Sequence, residues 1–229
     1  MGLQNLTIFS TLAVRAPFDN GVLAGYAASD ELHFAWSPTT VIESKLAAGQ
    51  HADVVIATDD ALARLVSKGV VKAENCYPLA TALFGVAVRQ GAGQPDISTA
   101  QSFLDTLRAA RSVCYSLGGA SGIYLQQVMA ERGILAAVEP RATKISQGFT
   151  AEKLVSGEAD VAVQQMSELM VVPGIDIVGP FPDELQQLTP FSVAVVNDCG
   201  DEVKAQLFIQ YLLSEQCQRI YAANGLLCR

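Results

Sequence analysis

Ser37-Pro38-Thr39-Thr40-Val41-Ile42-Glu43-Ser44-Lys45-Leu46-Ala47-Ala48-Gly49-Gln50-His51-Ala52-Asp53-Val54-Val55-Ile56-Ala57-Thr58-Asp59 is the stretch on which the fold turns. Its first part opens as a helix at the Ser-Pro-Thr-Thr turn, stays amphipathic to Ala48 and stops at Gly49. Residues 53–57 (DVVIA) then form a continuous apolar run, the mark of a parallel strand buried on both faces. A helix over 59–67 comes after it, capped by Thr58 or Asp59, with Gly69 beyond its end. Upstream, residues 6–9 read as a strand and Ser10-Thr11 as a polar turn. A helical stretch near 13–28 comes next, in which Pro17 sets the start near Ala16. Residues 31–36 alternate as a second strand. This β-α-β-α-β-α order predicts a parallel sheet with helices on its faces.

Downstream a second series begins. Residues 83–88 read as a strand that runs into the glycine-rich loop Arg89-Gln90-Gly91-Ala92-Gly93-Gln94-Pro95-Asp96. Next are a helix after Ser98-Thr99, a strand over 112–116 and a helix opening at Gly118-Gly119-Ala120-Ser121-Gly122. A helix near 150–156 ends at Gly157, and a strand over 160–163 leads into Gln164-Gln165-Met166-Ser167-Glu168. Strands near 175–178 and 191–196 precede one amphipathic helix from 201 to about 223. No repeat of fixed period interrupts this order.

Composition narrows the function. The 229 residues carry 15 Lys+Arg against 23 Asp+Glu, a formal charge of −8, and such a surface repels nucleic acid. Half the residues are hydrophobic and only 17% charged, so the chain can bury a core and is not disordered. No apolar run reaches the roughly 18–20 residues of a membrane span. Five cysteines without CxxC spacing predict reduced, mostly buried thiols; spacing does not decide a Cys217–Cys228 pair. The opening Met1-Gly2-Leu3-Gln4-Asn5 shows no secretory leader, which places the chain in the cytoplasm as it stands, or in the periplasm if a leader was removed.

Small polar residues cluster where strands give way to helices: Thr11-Leu12, Thr39-Thr40 and Ser121-Gly122. In open α/β sheets this carboxyl edge is where ligands bind, and helix starts there present unpaired N–H groups that attract anions. Each hydroxyl also has an ordinary reading as an N-cap. The glycine turn lacks the spacing and lysine of a P-loop and the GxGxxG spacing of a dinucleotide fold, so an anion cradle fits better than a nucleotide site. His33 and His51 make no zinc motif, and GxSxG is absent. Arg89, closing a strand before glycine, is a candidate carboxylate clamp. Glu168 is a candidate loop anchor or proton acceptor.

Several of these stretches together resemble the periplasmic molybdate-binding protein family of type II solute-binding proteins. They are Ser10-Thr11-Leu12, the run from Thr39 through Ala57, Ala120-Ser121-Gly122-Ile123-Tyr124 and residues 154–160. The resemblance implies two α/β lobes with a ligand cleft between them: residues 1–82 with 198–229, and residues 83–197. The chain would cross between the lobes near 82–88 and 191–197. The family's hydroxyl ligands fall on Thr11 and Thr39, and its backbone donor on Ser121. The tyrosine position becomes Gln165 beside Gln164, and a Thr-Asp pair becomes Ser167-Glu168, a donor set unlike a molybdate binder's.

Residues 95–99, 118–122, 163–169, 172–174 and 179–180 resemble a subgroup that includes bacterial aconitate isomerases. Together the two resemblances imply a small-organic-anion binder for a di- or tricarboxylate, closing about a hinge. Arg89, Thr11, Leu12, Thr39, Thr40, Ser121, Gly122, Gln164 and Gln165 are expected at the ligand. The alternative is a cofactor-free isomerase shifting a proton between cis- and trans-aconitate, with Glu168 or His33 as proton carrier. A third reading is the oxyanion-binding component of an ABC transporter, which would pair with a permease if exported. No metal or cofactor is expected, and a monomer is.

Overall fold

The computed structural model describes residues 5–229, so the opening residues 1–4 lie outside the description. The chain divides into two units. One takes the chain up to Ala82 together with Thr189–Arg229, the other Leu83–Leu188. The return to the first unit therefore precedes the strand expected at 191–196, which lies wholly in the first unit's sheet and carries no crossing.

In the first unit the chain runs β1 (Leu6–Ser10), α1 (Arg15–Asp19), β2 (Leu32–Trp36), α2 (Thr39–Ala47), β3 (Val54–Thr58), α3 (Asp59–Ser67) and β4 (Val71–Ala82). The second unit continues with β5 (Phe84–Arg89), α4 (Ala100–Ala109), β6 (Val113–Ser116), α5 (Ala120–Glu131), α6 (Leu135–Val138), β7 (Thr143–Ile145), α7 (Glu152–Val155), β8 (Val161–Gln165), α8 (Met166–Leu169) and β9 (Ile175–Pro180). The first unit closes with β10 (Thr189–Val196), α9 (Glu202–Leu212), α10 (Glu215–Ala223) and β11 (Leu226–Cys228).

The first sheet has the order β11-β4-β10-β3-β1-β2. Parallel pairing joins β1 to β2 and to β3, whereas β10 pairs antiparallel with β3 and β4, and β11 with β4. The apolar run at 53–57 is continuous because both faces are covered. Val54 and Ile56 pack with Ile8, Val193 and Phe208, whereas Val55 and Ala57 pack with Phe9, Ile42 and Leu65. The second sheet has the order β7-β6-β8-β5-β9, with β6, β7 and β8 parallel and β5 antiparallel to both neighbours. Val161 and Val163 face Phe103 and Leu125, while Ala162 faces Leu154 and Leu169.

The α3 segment matches its reading: Thr58 accepts from the Ala61 N–H at 3.3 Å, and Gly69 has φ +71°. Two long helices expected from sequence are broken instead. The stretch 13–28 is α1 flanked by 3-10 turns, because Gly21 takes φ +111°, where a helix cannot continue. The C-terminal helix splits at Leu213, where Ser214 turns extended and caps α10 through its hydroxyl. All five cysteines are free; Cys114 and Cys217 are buried, Cys76 and Cys199 half-buried and Cys228 exposed, so burial is less general than expected. Burial pushes the Cys114 thiol up to about 12, which keeps it protonated and unreactive.

Candidate functional site

Each unit gathers polar residues at the carboxyl edge of its three parallel strands. In the first unit the edge is set by register. Ser10 pairs with Trp36 and with Ile56, so the residues just after them, Thr11, Ser37 and Ala57, emerge side by side, with Thr58 one residue further on. The Thr11 N–H donates to the Ile56 carbonyl at 3.0 Å and the Ser37 N–H to the Ser10 carbonyl at 3.0 Å. Thr11 is buried and caps the following 3-10 turn through a long 3.5 Å contact from the Ala13 N–H. That contact uses its oxygen as acceptor and leaves the hydroxyl proton to donate. Leu12, half-buried, opens the same turn.

Thr39 and Thr40 open α2, whose N-cap position is Pro38. No side chain caps this helix and no acidic residue stands in its first turn. In the second unit α5 begins the same way, from Gly119, with neither a side-chain cap nor a first-turn acid. Its glycine turn is held by the Gly119 N–H donating to Ser116 Oγ at 3.0 Å. Ser121 is buried in that first turn. Gly122 has no alternative: a Cβ there would lie 1.8 Å from the Ser116 carbonyl oxygen. Among the described residues, the other helices of eight or more residues, α3, α4, α9 and α10, all carry side-chain caps, from Thr58, Thr99, Asp201 and Ser214. The two uncapped starts therefore keep unpaired N–H groups and positive helix ends at the carboxyl edges, a setting suited to an anion.

Beyond β8 the structure assigns the polar residues differently from one another. The Gln164 side chain is buried and committed. Its oxygen accepts from the Thr150 N–H at 2.8 Å and the Thr150 hydroxyl at 3.0 Å, and its amide donates to the Gly148 carbonyl at 3.1 Å. It fastens the loop before α7 and is not available to a ligand, contrary to the sequence expectation. Gln165 is the N-cap of α8 and shares a capping box with Glu168. Glu168 Oε2 accepts from the Gln165 N–H at 3.2 Å. Burial raises the Glu168 carboxyl to about 7, against the opposing pull of hydrogen bonds from the Gln165 N–H and the Gln164 side chain. A carboxyl so placed can both give and take a proton near neutral pH.

Two expected site residues lie at the wrong end of their sheets. Arg89 ends β5, which runs antiparallel to β8: Phe84 pairs with Gln165, and Val88 with Val161. Arg89 is thus exposed about 16 Å along the strand from the edge that carries Gln165. Sequence shows a strand end but not the strand's direction. Replacing Arg89 with Ala is expected to leave carboxylate affinity within about twofold, checked by calorimetric titration, as for an ordinary surface change. His33 pairs with Thr7 and meets the Asn5 side chain at 2.8 Å, about 10 Å from the Ser10–Trp36 edge. It is no proton carrier for that edge. His51 sits exposed beside Asp53 at 3.3 Å.

Sequence reading passed over two cations. Lys45 Nζ donates to Ser37 Oγ at 3.0 Å, and the Arg15 guanidinium lies 6.0 Å from the Trp36 ring centre while bonding Asp19 at 3.2 Å. Both reach the first unit's carboxyl edge. On the second unit a groove of about 560 Å³ runs between residues 94–98 and 178–184, and none of the predicted binding residues lines it. Among the described residues no cluster of His, Cys, Asp and Glu is arranged to hold a metal ion, and no helix is long and apolar enough to cross a membrane.

Comparison with known proteins places this arrangement. The chain is 38% identical over 186 residues to an aconitate isomerase of a Pseudomonas species, covering 81% of this chain and 71% of that protein. Its fold matches the periplasmic molybdate-binding protein of Azotobacter vinelandii with a TM-score of 0.79 at 15% identity, over 98% of this chain and 100% of that one. It matches the sulfate-binding protein of Mycobacterium tuberculosis H37Rv with a TM-score of 0.74 at 17% identity, over 98% and 86% of the two chains. At such identities the structural likeness carries the fold alone, an α/β periplasmic-binding-protein fold with two sheets. The profile of one sequence family covers residues 7–227. By that match the chain belongs to the bacterial extracellular solute-binding proteins.

Proposed function

We propose that this protein binds a small organic polyanion, a di- or tricarboxylate, through hydrogen-bond donors, most of them neutral, of the kind each unit gathers at its carboxyl edge. The single observation that supports this most is the pair of uncapped helix starts. Where every other long helix among the described residues receives a side-chain cap, α2 and α5 present bare N–H groups beside the hydroxyls of Thr39, Thr40 and Ser121. Thr11 and Leu12 add donors in the first unit, and Gly122 lets the α5 backbone sit against Ser116. These groups act at hydrogen-bond range, so a net charge of −8 does not oppose them once the ligand is in place. Likeness to an aconitate isomerase favours a carboxylate over a tetrahedral oxyanion. In a thermal-shift panel, cis-aconitate, trans-aconitate and citrate are expected to raise the melting temperature by several degrees at millimolar concentration, with molybdate and sulfate much less effective. A larger shift with molybdate overturns the carboxylate reading.

A second reading, isomerisation of the bound ligand, is favoured by Glu168 and the same relative. The ionised Glu168 carboxylate would take a proton from the methylene carbon of aconitate. The double bond would move by one carbon, and the acid so formed would return the proton to the former vinyl carbon. Atoms and charge balance without an added redox partner. Ultraviolet absorbance of cis- and trans-aconitate mixtures checks it: approach to one common ratio from both sides supports turnover, and constant spectra at high protein concentration reject it.

A further inference from the structure

We infer that Lys45 is the group of the first unit that receives a ligand carboxylate, an inference that rests on the polycarboxylate reading above. Lys45 stands in the last turn of α2. There an exposed lysine would ordinarily point into water and favour the negative helix end. Instead its stem runs back toward the helix start, as helical side chains lean, and the ammonium group reaches the carboxyl edge. Nζ lies 3.0 Å from the hydroxyl of buried Ser37 and 5.4 Å from the centre of the Phe9 ring. The ring face and the hydroxyl hold the cation but do not neutralise it.

The charge has no anion of its own. Glu43, two residues back on the same helix, is taken by Arg64 through two hydrogen bonds of 2.8 Å. The other half-buried cations have carboxylates: Arg15 has Asp19, Lys153 has Glu158 and Lys204 has Glu31. Among the described residues Lys45 is the half-buried cation with no carboxylate in ion-pair distance. A partly desolvated ammonium left unpaired costs stability in the free protein and gains it back when an anion arrives. Its neighbours are the Ser37 turn and the uncapped start of α2, so the anion it awaits is one that these donors can hold at the same time. A planar carboxylate, accepting from Nζ with one oxygen and from an N–H group with the other, satisfies both.

The test uses the whole chain, with cis-aconitate and trans-aconitate as probes in calorimetric titration. Lys45→Met keeps the stem over Phe9 and removes the charge. Its dissociation constant is expected to rise roughly ten- to a hundredfold, with Lys45→Arg recovering part of the loss and the ligand-free melting temperature equal to or above that of the parent. Equal affinity of Lys45→Met and parent overturns the role of Lys45 and leaves the functional reading in place; no binding by the parent overturns both. Should the variant fail to fold, lysine acetylation of the parent protein read by mass spectrometry decides the matter. Protection of Lys45 by trans-aconitate, with exposed Lys68 and Lys72 still modified, supports the inference, and labelling of Lys45 unchanged by ligand overturns it.

Discussion

Replacing Glu168 with Gln is expected to reduce aconitate isomerisation by roughly two to four orders of magnitude while leaving ligand affinity within a few-fold. The change removes the titrating oxygen but keeps the shape, and the Gln carbonyl can still accept the Gln165 N–H that now bonds Glu168 Oε2. A role confined to capping α8 would therefore survive in the variant, and turnover would too. The pH dependence separates the roles further. With the carboxyl raised to about 7 by burial, the fraction able to abstract a proton grows as pH rises through 7, so turnover should rise over the same interval.

Stability should move the opposite way. The folded value exceeds the ordinary 4.5, so the fold prefers the protonated acid. The associated stability is complete below about 4.5 and is lost as pH climbs past 7, a difference of about 3 kcal/mol. Glu168→Gln should flatten that slope and be the more stable protein at pH 8. Urea titrations of both proteins at pH 5 and pH 8 measure it, and parallel losses would remove Glu168 as the cause.

The second large effect is expected at Gly122. An alanine methyl would enter 1.8 Å from the Ser116 oxygen and 2.7 Å from its carbonyl carbon. Backbone cannot rotate out of the way as a flexible side chain can, so the start of α5 must move. A loss of about 3 kcal/mol is expected, at the upper end for overpacking, with a fall in melting temperature of roughly 5–10 °C. Ligand affinity should fall with it, since the N–H groups of the α5 start shift from the edge. Gly133→Ala provides the contrast. Its φ of +69° makes alanine strained, yet nothing lies within 4 Å of the new methyl, and a loss near 1 kcal/mol is expected. Equal losses at the two glycines would mean that close approach to Ser116 is not what excludes a side chain from 122.

These expectations show which features the chain displays in one dimension. Short-range chemistry was legible: Thr58 before Asp59, Gly49 and Gly69 past their helices, and the apolar run at 53–57 all act within a few residues. The hydroxyls at the carboxyl edge were legible for the same reason, because a helix start and its first turn are adjacent in sequence. Arg89 and His33 were misplaced because a strand's direction depends on partners far along the chain. Antiparallel β5, set by pairing with residues 161–165, carries Arg89 away from the edge. Lys45 was hidden by the opposite cause. A lysine in the last turn of an amphipathic helix looks like a solvated charge, and only its position over Phe9, from a strand some 36 residues earlier, shows where the ammonium goes. The single helix expected at the C-terminus failed because its apolar pattern continues across Ser214, whose hydroxyl cap restarts the helix.

The central claim, that the chain is a solute-binding protein for a polycarboxylate, is tested most directly by isothermal titration calorimetry with trans-aconitate and molybdate on the same preparation. The expected result is saturable one-to-one binding of trans-aconitate in the micromolar range, with molybdate at least tenfold weaker. Tight binding of molybdate with none of trans-aconitate would contradict it.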